Sequence, residues 1–465
     1  MDKFDLTVIG SGPGGYIAAF RASQLGMRVA LVERSEPGGL CVNLGCIPSK
    51  AILKSAELFS MMTHASRYGL SVENVSVDYA KVVERSRRVS GRLSKGVAFL
   101  AKKNKVTSFT GSARFTGSTR LLVDRSAGEG GRVEIESART IIATGTHPKS
   151  LPGLPFDGKR ILHSDQAILS KELPESLAVI GGGAVGVEFA YWCNAFGSKV
   201  TILELMDQLL PGTDREVADQ LGKSLKRQGI SVLTSASLKS ALPAKGGVEL
   251  AFDAAGESGK LEVRQALVAV GRAASVDGLG LEDAGVALEG GYISVDEAYR
   301  TSSPSVYAIG DVIGPPLLAH AASAEGVAAV EMMAGKGQGP VNPRHIPSCI
   351  YCQPEVATIG LTEEEAEARG IPVRIGRFPF RASGRAVASG DEEGFVKLVA
   401  DAKYGEILGA HLIGKGATEL IAEIGLAQKM EATAREMQSM IHAHPTLAET
   451  LGEAALDLDK MTLNI

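Results

Sequence analysis

Asp5-Leu-Thr-Val-Ile-Gly10-Ser-Gly12-Pro-Gly14-Gly15 joins a short β-rich run to a glycine turn, and a helical stretch from Tyr16 to Leu25 follows at once. A second β-rich run, Arg28 to Val32, ends at Glu33. Strand, Gly-x-Gly-x-x-Gly, helix, strand and terminal acid form the opening of a dinucleotide-binding βαβ unit. Gly10 permits the tight turn, Gly12 lets a pyrophosphate approach the backbone, and Gly15 lets the helix pack on the strand. The helix N-terminus faces phosphate charge, and Glu33 is placed to accept hydrogen bonds from a ribose. Alone, the motif also fits a purely structural turn.

It is not alone. Leu177-Ala-Val-Ile-Gly181-Gly182-Gly183-Ala-Val-Gly186 repeats the construction, followed by a helix to Phe196, a strand from Lys199 to Leu203, and Glu204. Two complete openings predict two Rossmann-like domains and an α/β fold. Glu204 pairs with a free ribose hydroxyl and repels a 2′-phosphate. The next three residues, Leu205, Met206 and Asp207, supply no cation, so NAD is favoured over NADP.

Two later runs read as closing strands: Arg139-Thr-Ile-Ile-Ala-Thr144-Gly145 and Ser305-Val-Tyr-Ala-Ile-Gly310-Asp311. The second leaves an acid at the carboxyl edge of a parallel sheet, where Asp311 either binds a ribityl hydroxyl or serves as an ordinary helix N-cap. A helix from about His320 through Met333 aims its positive end at the same place.

The 465 residues exceed one core, and 45% hydrophobic content gives two to four domains material to bury. Fifty-five glycines and 5% aromatics suit an α/β protein rather than a small β-sandwich. The 49 basic and 53 acidic residues, net charge −4, are spread without long runs, which argues against a nucleic-acid stripe or a polybasic membrane patch. No segment has the length and apolarity of a membrane span, and the first strand begins at Phe4, so no targeting segment is read; the expectation is a soluble cytoplasmic chain or a mature organellar one.

Between Gly38 and Lys50 stands Gly-Gly-Leu-Cys41-Val-Asn-Leu-Gly-Cys46-Ile-Pro-Ser-Lys50. A bridge across so short a loop constrains the unfolded chain by only about 2 kcal/mol, a poor reason for a staple in a protein this long. The pair is there to be oxidised and reduced, which suggests a redox-active disulfide beside a flavin. Of the other cysteines, Cys349 and Cys352 are spaced like a zinc half-site, but strand positions three apart face opposite ways and no second pair is near, so two buried free thiols and no metal are expected. Cys193 and the methionines Met430, Met437 and Met440 read as packing.

The last 120 or so residues read as an α+β domain without a nucleotide motif, with short strands Val373 to Phe378 and Gly394 to Ala400 and helical stretches from Thr418 and Thr433. Near the end comes Ile441-His-Ala-His444-Pro445-Thr-Leu-Ala-Glu449. A histidine ahead of a proline at the first helical position is held rigidly, and Glu449 can orient its ring; a surface histidine beside a first-turn acid is the plainer alternative.

Together the cysteine segment, both fingerprints, Ala308-Ile-Gly-Asp311 and His444-Pro-Thr-Leu-Ala-Glu449 resemble the flavin disulfide reductases, in order and over essentially the whole chain. Within that family the resemblance is to the branch acting on protein-bound dihydrolipoyl groups. It implies residues 1–145 as the FAD-binding domain, 146–270 as the NAD-binding domain, 271–343 as a central domain completing the FAD site, and 344–465 as an α+β interface domain building a homodimer. Cys41 becomes the thiol that meets the substrate and Cys46 the thiol beside the flavin. His444 of the partner subunit becomes the base with Glu449 behind it. The resemblance puts Lys50 and Glu188 near the flavin's reactive nitrogen. It assigns cofactor contacts to Gly10, Gly12, Gly14, Gly15, Glu33, Ala113, Thr144, Gly145, Asp311 and Ala319 for FAD, and to Gly181, Gly182, Gly183, Gly186, Glu204 and Gly271 for NAD. The implied partners are lipoyl-bearing proteins of 2-oxo acid dehydrogenase complexes or the glycine cleavage system, with no nucleic acid and no membrane. The rivals are another member such as glutathione reductase, whose NADP preference conflicts with Glu204, and a non-catalytic flavoprotein scaffold, which intact Cys41, Cys46 and His444 argue against.

Overall fold

The strand Asp2–Ile9 buries Phe4, Leu6, Val8 and Ile9 at the centre of the first sheet, pairing in parallel with Val29–Glu33 on one side and Arg132–Ile142 on the other. The computed structural model describes residues 1–125 and 131–465. Thr107–Gly117 extends the sheet beyond Val29–Glu33, and Val306–Ala308, from far downstream, joins beyond Arg132–Ile142. Arg120–Arg125 links Thr107–Gly117 to Arg132–Ile142 as an antiparallel meander. Near-continuous apolar strands are what a parallel sheet covered on both faces demands. The first helix, Pro13–Gln24, starts ahead of the expected Tyr16 because proline at the first helical position costs no hydrogen bond.

The second sheet repeats the plan. Its order is Ser231–Leu233, Lys199–Leu203, Ser176–Ile180, Gln265–Val268 and Ile161–His163, every neighbour parallel. A meander of Ala236–Ala244, Gly247–Ala254 and Glu257–Val263 stands where the first unit has its own. Two things differ: the meander is part of the first sheet but a separate three-stranded sheet in the second unit, and the outermost parallel strand comes from downstream in the first sheet and from upstream in the second.

The C-terminal unit is a five-stranded antiparallel sheet, ordered Ser348–Ile350, Val356–Gly360, Ile407–Ile413, Phe395–Asp401 and Val373–Pro379. Ala417–Lys429, Ala434–Ser439 and Glu449–Asp457 contribute to its core through residues such as Ile421, Met437 and Leu451. The methionine expectation needs correction here: Met437 is buried, but Met430 and Met440 are exposed beside Leu426 and Ile441, and Ile441 is 94% exposed. The reason is position: Leu426 and, at the C-cap, Met430 lie on the face of Ala417–Lys429 opposite its buried Ile421 and Ile424, and Met440 and Ile441 follow the end of Ala434–Ser439.

This unit is pinned to the second dinucleotide unit by a buried charge cluster. Lys397 Nζ, 1% exposed, lies 2.8 Å from Asp214, 2.7 Å from Glu216 and 2.8 Å from Glu363. Asp214 also caps the helix Arg215–Arg227, accepting from the Glu216 and Val217 amides. Removing Lys397 would leave the fully buried Asp214 carboxylate without its cation, at a cost of about 3–5 kcal/mol.

Charge is less evenly spread than the linear sequence suggests. The helix Tyr79–Lys103 carries eight Lys or Arg residues against one acid, Glu84. Read along the chain they are interrupted by apolar and serine positions, which hides the concentration that the helical period creates. Among the described residues no helix is long and apolar enough to cross a membrane.

Candidate active site

The two glycine turns superimpose in their bonding. The Gly10 amide donates to the Val32 carbonyl at 2.8 Å, and the Gly181 amide donates to that of Leu203 at the same distance. Both turns need φ near +100°, at +99° and +106°, a region that favours glycine. A Cβ at Gly15 would collide with the Gly10 carbonyl oxygen and one at Gly186 with that of Gly181, so helix and strand meet backbone to backbone. Gly12 and Gly183, by contrast, face open space, and each begins a helix with no side-chain cap. Free first-turn amides above a cradle without side chains suit a pyrophosphate in both places.

The acids are held to their turns. Glu33 Oε2 accepts from the Ser11 amide and hydroxyl at 2.8 and 2.7 Å, and Glu204 accepts from the Gly182 and Met206 amides at 2.5 and 2.7 Å. Each carboxylate retains lone pairs for a further donor.

The cysteine segment lies directly on the first turn. The Gly38 amide donates to the Ser11 carbonyl at 3.1 Å, and Gly39 packs against the backbone of Gly12. Cys41 sits in the short helix Gly39–Asn43, and Cys46 is the first residue of Cys46–Thr63. Both are free thiols, close enough that each is the largest influence on the other's titration. The neighbouring Cys41 thiol lowers Cys46 to about 7 against the opposing effect of burial, with Lys50 adding attraction; the Cys46 thiol, with burial, pushes Cys41 far up. Lys50, one turn on, lies 2.9 Å from both oxygens of Glu188, on the helix Ala184–Ala195 that opens at the second glycine turn. The Tyr351 amide donates to Glu188 at 3.0 Å, and its ring lies 4.5 Å under the Lys50 ammonium.

Asp311 stands in a short 3₁₀ turn, Gly310–Ile313, so the N-cap alternative fails: the helix Ala319–Met333 is preceded by Leu318. Its carboxylate accepts from Thr146 Oγ1 at 3.0 Å, and Arg272 donates to that hydroxyl at 2.9 Å. Burial raises the Asp311 carboxyl. Thr144 donates to the Ser275 carbonyl at 2.8 Å, the Gly145 carbonyl accepts from the Ser275 amide, and the Gly271 carbonyl accepts from the Lys149 amide. Ala113 is buried in Thr107–Gly117, and Ala319 begins its helix.

His444 does not join this cluster within the subunit. Its Nδ1 lies 2.9 Å from Glu449 Oε1, and its side chain is 79% exposed. Although burial works the other way, the Thr446 amide and the His444 ring hold Glu449 below its ordinary range. The expectation of Pro445 at the first helical position is corrected: the helix starts at Glu449, because Thr446 bonds back to the Ala443 carbonyl and its amide to Glu449, closing a turn first.

A family profile described as "Pyridine nucleotide-disulphide oxidoreductase" covers residues 4–326, and that family's dimerisation domain covers 346–455. The chain belongs to the pyridine nucleotide-disulphide oxidoreductase family. It is 49% identical to a dihydrolipoyl dehydrogenase of Chlorobaculum parvum over 97% of this chain and 96% of that one, and 43% identical to that of Bacillus subtilis over 98% of both. Among solved structures, LpdA of Mycobacterium tuberculosis matches with a TM-score of 0.90 at 27% identity, covering 98% of this chain and 99% of that one. The flavoprotein disulfide reductase RclA of Escherichia coli matches at 0.87 and 28%, with the same coverage.

Four residues of this oxidoreductase site escaped the sequence reading. Tyr16 lies close enough to Cys41 and Cys46 that, after burial, their charge raises its phenol. Glu325, buried on Ala319–Met333, accepts from the Gly310 amide at 2.7 Å and so fixes the turn carrying Asp311. Tyr351 and the Thr146 hydroxyl complete the set. Tyr16, directly after Gly15, was the one with a local signal. The remaining cysteines are of another kind: burial raises Cys349 to about 11, Cys193 to about 12 and Cys352 further. Cys352 packs in one core and the half-buried Cys349 against another, and no metal-binding cluster occurs among the described residues. Cys349 is less buried than expected because it lies on a three-residue edge strand.

Proposed function

We propose that two copies of this chain form an FAD enzyme that oxidises protein-bound dihydrolipoyl groups to lipoyl and reduces NAD to NADH. The observation carrying this reading is the coupled thiol pair seated on the first glycine turn, with Lys50 and Glu188 linking it to the helix of the second. Residues 1–145 with 271–343 hold FAD through Gly10, Gly12, Gly14, Gly15, Glu33, Ala113, Thr144, Gly145, Asp311 and Ala319. Residues 146–270 hold NAD through Gly181, Gly182, Gly183, Gly186 and Glu204, with Gly271 at the boundary. Residues 344–465 bring His444 to the partner's cysteines, and the exposed Ile441, three positions away, supports burial of that surface in a dimer.

In the oxidised enzyme the two cysteines share a disulfide. His444, oriented by Glu449, takes a proton from one substrate thiol, and the thiolate attacks Cys41 Sγ, breaking the Cys41–Cys46 bond. The second substrate thiol displaces Cys41, closing the lipoyl disulfide and leaving both enzyme cysteines reduced. Cys46 is left as a thiolate stabilised by Lys50, beside the turn whose residues would hold FAD. FAD bound there would supply two-electron transfer between this dithiol and NAD. Glu204 holds the nicotinamide nucleotide's ribose and disfavours a 2′-phosphate.

Purified protein offered dihydrolipoamide with NAD, oxidised glutathione with NADPH, and mercuric ion with NADPH discriminates the readings. Turnover with the first pair is expected; preference for either other pair sinks the proposal.

A further inference from the structure

On the helix Tyr79–Lys103, Lys81, Arg85, Arg88, Arg92 and Lys95 recur every three or four residues and form one stripe, opposite the buried Val83, Ser90 and Val97. Lys81 pairs with Asp78, the cap of its own helix, and Glu84 is engaged by Lys171. Among the described residues Arg88, Arg92 and Lys95 have no carboxylate partner. Like charges one turn apart repel, so the row works against its own helix. Phe99, next along the stripe, is 65% exposed.

The stripe also has an address. Arg85, on the stripe, donates to the Ala51 carbonyl at 2.8 Å, and Arg87, off the stripe on the same helix, donates to the Asn43 carbonyl. Those carbonyls belong to the helices Gly39–Asn43 and Cys46–Thr63, which carry Cys41 and Cys46, so the helix bearing the stripe packs beside the dithiol segment.

We propose that this face docks an acidic protein domain that presents the dihydrolipoyl arm; the inference rests on the function proposed above. A thiol tethered to a protein reaches the dithiol only through an encounter between two proteins. On a chain with net charge −4, a row of unpaired cations beside the reactive sulfurs draws an acidic partner there, while the remaining, more acidic surface repels it. Exposed Phe99 supplies an apolar contact once the two are aligned.

The test uses the full-length dimeric holoprotein and two variants, Arg88→Glu/Arg92→Glu/Lys95→Glu and Arg88→Gln/Arg92→Gln/Lys95→Gln. Each is assayed with free dihydrolipoamide and with a reduced, isolated lipoyl domain of net negative charge, at several salt concentrations. With the free compound the variants should match the parent. With the domain, KM should rise about tenfold in the Glu variant and less in the Gln variant, and the parent's salt dependence should flatten. Equal kinetics on the domain across all three proteins overturns the proposal. So does equal loss on both substrates, or a monomeric variant in sedimentation, either of which makes the stripe structural. Displacement of the domain from the parent by duplex DNA or anionic vesicles at lower concentration would assign the face to those partners instead. A parent that fails to oxidise free dihydrolipoamide fails the functional reading itself, a separate and visible outcome.

Discussion

At the first glycine turn a second helix closes over the backbone; at the second, among the described residues, the matching position is left open. A Cβ on Gly14 would strike the Ala322 carbonyl, and one on Gly326 that of Gly14, so Pro13–Gln24 and Ala319–Met333 cross at glycine contact. The position matching Gly14 is Val185, which is 41% exposed. Beneath this difference the bonding is shared down to the segment after the acid: the Gly38 amide returns to the Ser11 carbonyl as the Leu210 amide returns to that of Gly182. In the first unit that returning segment leads to Cys41; in the second it leads to Asp214 and the buried Lys397. The βαβ opening therefore supplies a cradle, and what packs over it differs; on the function proposed above, that difference separates a cofactor that stays from one that exchanges.

The comparison breaks most visibly through its two buried glycines. Gly15→Val should yield protein without flavin and without activity toward any acceptor. Gly186→Val should purify with flavin and still accept electrons from dihydrolipoamide, while NAD turnover falls about a hundredfold through misplacement of the nucleotide. Absorbance spectra and paired assays decide; flavin retained in both, or lost in both, would erase the distinction.

Next in size is the base. His444→Gln should slow dithiol oxidation about 10²- to 10⁴-fold and leave NADH-to-dye electron transfer near normal, since the latter needs no substrate thiol. Equal loss in both assays would indicate a folding role.

The thiol pair sharpens the contrast through pH. With Cys46 near 7, alkylation of the anaerobically reduced protein should climb through a midpoint near pH 7 and level off about one unit above it, because the thiolate is the reactive form. Lys50→Met, which removes an attraction favouring that thiolate, should move the midpoint upward. A midpoint near the ordinary thiol value in the parent would refute the assignment.

The smallest expected effect is on nucleotide choice. Glu204→Ala with Leu205→Arg should shift the NADPH-to-NADH ratio of kcat/KM by about tenfold or more. NAD use should also fall, because Glu204 holds the Gly182 and Met206 amides. An unchanged ratio would show that the acid does not discriminate.

Features set by short-range backbone demands were readable in the chain. Both turns, their helices and the strand Lys199–Leu203 follow from glycine placement and local apolar pattern, and the cysteine spacing announced itself. Features set by distant packing were not. Val306–Ala308 reads locally as a closing strand, but its pairing with Arg132–Ile142, far upstream, does not, and nothing local marks Glu325 as the acid that bonds Gly310. Lys397 reads as a surface residue because its three carboxylate partners lie in other elements. Met430 and Met440 share a composition with core residues but not a core. The basic stripe was hidden for a geometric reason: its members adjoin only after the chain coils.

The redox role of Cys41 and Cys46 is tested most directly by alkylating denatured protein before and after anaerobic addition of dihydrolipoamide, and again after NAD, with peptides mapped by mass spectrometry. Cys41 and Cys46 should be protected at first, both labelled after dihydrolipoamide, and protected again after NAD, while Cys193, Cys349 and Cys352 label throughout. Labelling of Cys41 and Cys46 that is the same in all three samples would contradict the account.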